Sequence, residues 1–402
     1  MRIITVDIGW GDSGKGSIVD YLTSEYSPLT EKPTAVVRYS GGHQCGHKVV
    51  SKDHKRSHIF SQFGSGTLNK VKTILTNHVI IEPISMIKEA EALSYMVNLP
   101  GLYIDRACPV TTPIHVMFNR AFEAINSNGT CGKGIGLTRL TDYHGLSVYL
   151  SDDKYTCYKK ICRIRDFLSD YYYSKGGDHS TLSTLKVDIS GWLDGLSHAK
   201  KQFESYNIHD DYEVLDCNLI HSNNLIYEAA QGIALNEYTG VYPEESTWGD
   251  VTTRNALEID DIVYKNQDRL ILGIMRSYAT RHGGVLPSAR KVSPEFESCG
   301  TQWDKLHFSD AGSFNTWQGT MYSYKWRPDV LNKLVKLSGC DGIAINHLDE
   351  YSYSDNEELF DSILNPKLEC GVPFLIGGVG PSAFEKMNCA RKPWSNRSLV
   401  LA

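Results

Sequence analysis

Several features are missing from this sequence, and each absence removes a class of protein. There is no unbroken apolar stretch of about 18 residues, so no membrane-crossing helix is expected. No charged-then-apolar leader precedes the first strand-like segment, which points to a cytoplasmic protein. The ten cysteines never form a C-x-x-C pair, which argues against zinc and for reduced thiols. Charge of one sign is not in excess: 41 Lys and Arg stand against 47 Asp and Glu, a net charge of −6. A polyanion-binding tail, and with it a nucleic-acid partner, is not expected. Internal repeats and low-complexity tracts are also lacking, which excludes a solenoid and a disordered chain. What remains is a 402-residue chain of ordinary composition, long enough for one elaborated α/β core.

Residues 2–8, RIITVDI, alternate and then run apolar, as a buried strand does. The following KGSIVDYLTSEY (15–26) places Ile18, Val19 and Leu22 on one helical face. Further strands are predicted at 34–40, 72–81, 224–230, 269–279, 341–349 and 373–379, and helices at 83–97, 115–126, 191–207 and 328–338. This alternation predicts a large, mainly parallel β-sheet flanked by helices on both faces. Residues 151–222, polar and rich in Tyr, Ser and Asp, read as a mostly helical excursion within a single domain spanning 1–402.

Four segments carry chemistry. The first is GWGDSGKGS (9–17), between the first strand and the first helix, where backbone N–H groups and the helix dipole attract anions. Its glycines and Lys15 suit a phosphate, but the loop breaks the Walker pattern: Gly16 follows Lys15, and Ser17 comes one place late. It also contains an acid, Asp12, which could hold Mg²⁺ or take a proton from a substrate. The second is RYSGGHQCGHKVV (38–50), in which His43 and His47 are set among glycines. A histidine there can donate a proton or polarise an oxygen; a metal pair and two ordinary loop histidines are the other readings. The third is YEAAQGIALNEYTGVYP (227–243), where Gln231 at a strand end can read a purine edge or a phosphate. The fourth is AINHLDEYS (344–352), a strand ending in N-x-x-D. The carboxylate of Asp349 suits guanine, whose N1 and N2 groups both donate, so GTP is favoured over ATP; a helix N-cap is the alternative.

In this order, the four segments resemble the adenylosuccinate synthetase family. Its opening loop reads W-G-D-E-G-K-G-K or W-G-D-E-G-K-G-S, against WGDSGKGS here, and its G-G-x-N-A-G-H motif is matched by GGHQCGH. NHVIIEP (77–83), RACP (106–109), TCGKGIG (130–136), AAQG (229–232), VYP (241–243), YATRHGG (278–284), NHLD (346–349) and GGVGP (377–381) extend the resemblance over nearly the whole chain. The resemblance implies a P-loop GTPase-related fold, a homodimer, and a Mg²⁺-dependent C–N ligase. Such an enzyme phosphorylates O6 of a 6-oxopurine nucleoside monophosphate with GTP, and the amino group of L-aspartate then displaces the phosphate. By the same matching, Asp12 is the base at N1 and a Mg²⁺ ligand, with the Gly46 carbonyl as a second ligand. His47 is the acid at O6 and the γ-phosphate, and Lys15 holds phosphates. Gly11, Ser13, Gly14, Gly16, Ser17, Gly46, Lys48, Asn346, Asp349 and Gly380 fall at GTP positions. Gln44, Thr130, Gln231, Ser246 and Thr247 fall at acceptor-nucleotide positions, alongside Asp12. Thr316, Gln318 and Arg281 are the amino-acid-binding candidates.

The sequence departs from the family in three places: Ser13 replaces a glutamate, Gln44 an asparagine, and the aspartate-binding T-T-T-G-R-x-R-R becomes NTWQGTMYSYKW (315–326), without its arginines. A dicarboxylate needs cations, which leaves Lys325, Arg327 or Arg281 to supply them. An arginine expected on the substrate phosphate is also absent around Tyr143 and His144. These losses suggest the bacteriophage branch that makes 2-amino-2'-deoxyadenylosuccinate from dGMP for diaminopurine DNA. Many members of that branch carry serine in place of the loop aspartate and use ATP, whereas this chain keeps Asp12 and Asp349. The reading favours dGMP as acceptor, with IMP as its direct rival. A GTP-binding regulator without catalysis and a kinase that stops at phosphorylation are the readings from other classes.

Overall fold

The computed structural model describes residues 2–26, 33–125, 129–213, 218–221, 223–264, 268–282, 292–298, 303–306, 314–315, 318–350 and 371–388. Among these, ten strands form one sheet: β1 (Arg2–Asp7), β2 (Thr34–Arg38), β3 (Lys72–Leu75), β4 (Leu102–Asp105), β5 (Ile208–Tyr212), β6 (Asn224–Glu228), β7 (Leu270–Arg276), β8 (Gly342–Asn346), β9 (Phe374–Gly378) and β10 (Lys386–Asn388). Their spatial order is β10-β9-β8-β7-β1-β6-β2-β3-β4-β5. Every pairing is parallel except that of β9 with β10. β1, β2, β6 and β8 are buried along their whole length, because helices cover both faces of a parallel sheet.

The period-2 alternation of β1 separates those two faces. Ile3 packs with Ile18, Val19 and Leu22 of α1 (Lys15–Tyr26). Its neighbour Ile4 packs on the other side, in a cluster that also holds helical Ala256 and Ile259. The remaining long helices are α2 (Pro83–Ser94), α3 (Pro113–Ile125), α4 (Ile135–Tyr143), α5 (Lys154–Ser174), α6 (Ile189–Gln202), α7 (Arg254–Tyr264) and α8 (Pro328–Ser338). A hairpin of His47–Val50 and Ser57–Phe60 and a small antiparallel sheet centred on Gly319–Tyr324 stand apart from the main sheet.

The expected mainly parallel sheet is present, with three local corrections. The strand predicted at 72–81 ends at Leu75, and Ile80 makes only an isolated bridge to Gly42. The segment 269–279 splits into β7 and the start of Ala279–His282 in the small sheet. The excursion at 151–222 does supply α5, α6 and the short helix His179–Thr184, but it also returns to the main sheet as edge strand β5. Polar, alternating IHDDY hides that strand because an edge position needs little apolar surface.

One buried acid on α1 makes stability depend on pH. Burial pushes the Asp20 carboxyl up to about 7, against a 2.8 Å hydrogen bond from the Asn69 amide and the charges of Lys52 and Lys386. Its folded pKa lies above the unfolded one, so the stability it contributes is present at low pH and is lost as pH rises through about 7. Urea unfolding at about pH 5 and about pH 8 should therefore show a smaller stability difference in Asp20→Asn than in the parent; equal differences would exclude this assignment.

Candidate active site

The loop after β1 takes a shape that few residues accept. Gly11, Asp12 and Gly14 all have positive φ, at 101°, 56° and 75°. A buried ion pair fixes its base: Lys15 Nζ lies 2.7 Å from Asp7 Oδ2 at the end of β1, and the Gly9 N–H donates to Asp7 Oδ1 at 2.8 Å. From β8, the Asn346 amide donates to the Ser13 carbonyl at 2.8 Å and to that of Gly14 at 3.3 Å. The departure from the Walker pattern has a steric cause. A Cβ on Gly16 would stand 2.8 Å from His47 Cβ and 3.1 Å from Ser65 Oγ, so the position after the lysine admits no side chain. Ser17, one place later, turns back to the Gly14 carbonyl at 2.9 Å.

His47, packed against this loop, is oriented by a carboxylate. Its Nδ1 is 2.7 Å from Glu228 Oε1 at the end of β6, and the same carboxylate accepts from the Ser65 hydroxyl and, at 3.1 Å, from the Ser65 N–H. All three residues are buried. Burial would raise the Glu228 pKa, but His47, Arg38 and Ser65 overcome it and hold the carboxylate at about 2. Burial dominates at His47 and lowers its pKa, with Arg38 and Lys15 adding to the fall while Glu228 opposes it. Nε2 of His47 is buried without a hydrogen-bond partner among the described residues. Because Nδ1 donates to the Glu228 carboxylate, Nε2 carries a proton only in the imidazolium form, and in that form it can donate to a developing negative charge.

Asp12 faces a different space. Its carboxylate is half exposed and lies 3.3 Å from His282 Nε2. Desolvation works against ionisation here, but the hydrogen bond and charge of His282, with Lys15 and Arg276, hold Asp12 at about 2. Asp12 and His282 line a cavity of about 520 Å³ shared with Gln44, Thr130, Gln231, Ser246, Thr247, Arg281 and Gln318. All the predicted acceptor positions, and two of the three amino-acid positions, thus converge on one chamber; Thr316 lies outside the described residues. Both polar atoms of the Gln44 side chain are buried and unpartnered among those residues, as expected of an amide that awaits a ligand. Trp10 and Trp248 add flat apolar walls. Arg281 enters the chamber already paired with Glu245, and both side chains are buried. Lys325 is exposed outside the cavity lining, and Arg327 pairs with Asp329 at 2.6 Å.

Lys15 and His47 do not line this chamber but lie buried beside the loop. Gly46 just precedes the hairpin and Lys48 lies within it, and both are exposed. On the opposite side of the loop, Asp349 is exposed in the turn Leu348–Glu350. Lys386 joins this side: its ammonium donates to the Gly380 carbonyl at 2.5 Å and feels the charge of Asp349. Burial brings Lys386 down to about 8, against Glu385, Asp349 and Asp20. Among the described residues, no three His, Cys, Asp or Glu side chains converge as a metal site. Asp12 offers one half-exposed carboxylate, an oxygen donor of the kind Mg²⁺ takes together with water and substrate phosphates.

Sequence reasoning missed Asp7, Glu228, His282, Arg276 and Glu245. For Asp7 and Glu228 a signal existed, since each is the lone acid of a fully buried strand and stands at its end. The adenylosuccinate synthetase family profile matches residues 4–356. The chain belongs to this family. An adenylosuccinate synthetase of Buchnera aphidicola is 31% identical over 364 residues, covering 87% of this chain and 77% of that protein. The synthetase of Histophilus somni strain 2336 is 29% identical over 70% of this chain, and the match spans less than two thirds of that relative, 63%. The fold is shared with fully ligated adenylosuccinate synthetase from Plasmodium falciparum, at a TM-score of 0.71 and 17% identity over 96% of this chain and 99% of the other. It is also shared with succinoaminodeoxyadenylate synthetase of cyanophage S-2L, solved with dGMP and dATP, at a TM-score of 0.63 and 17% identity over 96% and 95% of the two chains. As an adenylosuccinate synthetase family member, the protein is a C–N ligase by class.

Replacing Glu228 by Gln keeps the shape but removes the charge that orients His47. The variant is expected to remain folded by circular dichroism and to lose about 100-fold in kcat, with nucleotide KM values nearly unchanged. A KM effect with normal kcat would mean that Glu228 does not act through His47.

Proposed function

We propose that the protein is a GTP- and Mg²⁺-dependent ligase that joins L-aspartate to C6 of dGMP, giving 2-amino-2'-deoxyadenylosuccinate. The observation that carries this reading is the position of Asp12. A phosphate-binding loop needs no acid, yet this one directs a half-exposed carboxylate into a chamber shared with Gln44, Thr130 and Gln231. An acid there serves the acceptor rather than the phosphate donor.

The chemistry follows from that division. The loop amides and Lys15 take the β- and γ-phosphates once the lysine turns from Asp7 toward the donor, while Asp349 and Gly380 receive the guanine. Asp12 and the Gly46 carbonyl would hold Mg²⁺, which would supply charge neutralisation for the phosphates. Asp12 accepts the N1 proton as O6 forms its bond to the γ-phosphorus and GDP departs. A carboxylate at about 2 is a weak base, so this proton transfer is driven by bond formation at O6. His47, aligned by Glu228 and protonated, donates from Nε2 to the transferring group. The amino group of aspartate then attacks C6, and the phosphorylated oxygen leaves as inorganic phosphate. Ser246, Thr247, Gln318 and Arg281 are the side chains at hand for acceptor and amino acid. The pairing of Arg281 with Glu245 means that the aspartate carboxylates must compete for that cation.

Support for dGMP comes from the departures in the aspartate-binding segment and from the shared fold of the cyanophage enzyme, solved with dGMP. IMP is the second reading, favoured by the more similar sequences, which are ordinary adenylosuccinate synthetases. We also read residues 1–402 as one catalytic unit acting as a homodimer in the cytoplasm; among the described residues no helix is long and apolar enough to cross a membrane.

The deciding assay supplies GTP, Mg²⁺ and L-aspartate with dGMP or IMP in separate reactions, and follows phosphate release and product mass. A succino-product from dGMP alone supports the proposal, and product from IMP alone replaces dGMP by IMP. Phosphate release that depends on the acceptor but yields no adduct rejects aspartate as donor, and silence in both reactions rejects the ligase. In the active pair, Asp12→Asn is expected to lose about 10²–10⁴ in kcat.

A further inference from the structure

A second cavity, of about 800 Å³, shares no lining residue with the acceptor chamber. It lies between the 47–60 hairpin, the N-terminal ends of α2 and α3, and residues 184–192 leading into α6. His43 faces it from one side of the catalytic loop, while the adjacent Gln44 faces the acceptor chamber.

Cations outnumber carboxylates around this cavity. Lys88, Arg120, Lys133 and Lys186 line it, against three carboxylates, and the Lys133 ammonium donates to the His43 carbonyl at 3.1 Å. Each carboxylate is already engaged with backbone N–H groups: Glu82 with Ile84 and Ser85, Glu89 with Ser61, Gln62 and Phe63, and Asp188 with Gly191. Thr111, Thr112 and Pro113 bring the N-terminal end of α3, a 13-residue helix, to the cavity wall, where the dipole favours an anion. His43 is only 6% exposed, and its Nε2 has no hydrogen-bond partner among the described residues. A buried polar atom left unpaired at a cavity wall implies a missing partner. Trp192 and Met117 supply an apolar surface.

We propose that this cavity is a second ligand site, which takes a phosphate-bearing small molecule of nucleotide size on His43, Arg120, Lys133 and the N-terminal end of α3. The site is independent of the ligase assignment, because none of its residues belongs to the acceptor chamber.

Pyridoxal 5'-phosphate is a suitable probe, since it joins a phosphate to a planar ring and marks nearby lysines once its imine is reduced by borohydride. Full-length protein is labelled and mapped by peptide mass spectrometry. Lys133, Lys88 or Lys186 is expected to be modified about tenfold faster than the exposed Lys55 and Lys159. That preference should disappear in Arg120→Ala, in His43→Ala, and when pyridoxal without phosphate is used. Arg120 is exposed, so its variant tests the site even if His43→Ala fails to fold. Uniform labelling of the lysines overturns the proposal, as does a preference that survives Arg120→Ala or loss of the phosphate.

Discussion

The ion pair of Asp7 and Lys15 underlies the rest of the site. Both side chains are buried and lie 2.7 Å apart, so either one alone would be an uncompensated charge costing about 3–5 kcal/mol. The second oxygen of Asp7 holds the Gly9 N–H, which ties the start of the loop to the end of β1. With the lysine and the loop backbone pinned together, the left-handed turns at Gly11, Asp12 and Gly14 follow, and they present the Asp12 carboxylate on the side away from Lys15's partner. In the proposed reaction a triphosphate would offer the lysine more charge than one aspartate, so donor binding and release of Asp7 would be a single exchange.

A second carboxylate, Glu228, does for the histidine what Asp7 does for the lysine. It stands at the end of β6, next to β1 in the sheet, so the two anchors come from adjacent strands. Asn346 holds the loop backbone from β8, while Asp12, Gln44 and Gln231 face the chamber. This arrangement follows from the parallel sheet, whose strand ends cluster at one edge and gather side chains from distant parts of the chain.

The sheet was legible because apolar strands such as RIITVD and GIAIN leave no other reading, and because loop glycines punctuate them. The chamber was legible through motif positions: Gln44, Thr130, Gln231 and Thr247 do meet, although they lie up to 203 residues apart in the chain. What stayed hidden depends on packing across the fold. Nothing local to Gly16 reveals that His47 occupies the space of its missing side chain. Nothing near Arg281 reveals that Glu245, in the turn Pro243–Glu245, pairs with it. Strand β5 escaped notice because an edge tolerates polar residues that a central strand could not bury.

The place of β1 in the sheet has a consequence for how the chain is made. Strands β2, β3 and β4 are neighbours in both sequence and space, so they can pair as soon as each is synthesised. β1 hydrogen-bonds only to β6 and β7, whose residues begin at 224 and 270. This central, fully buried strand therefore waits, unpaired, through the synthesis of more than half the protein. Such long-range closure slows folding and leaves a sticky segment exposed meanwhile. The loop attached to that strand is therefore translated well before the strands that hold β1 in place.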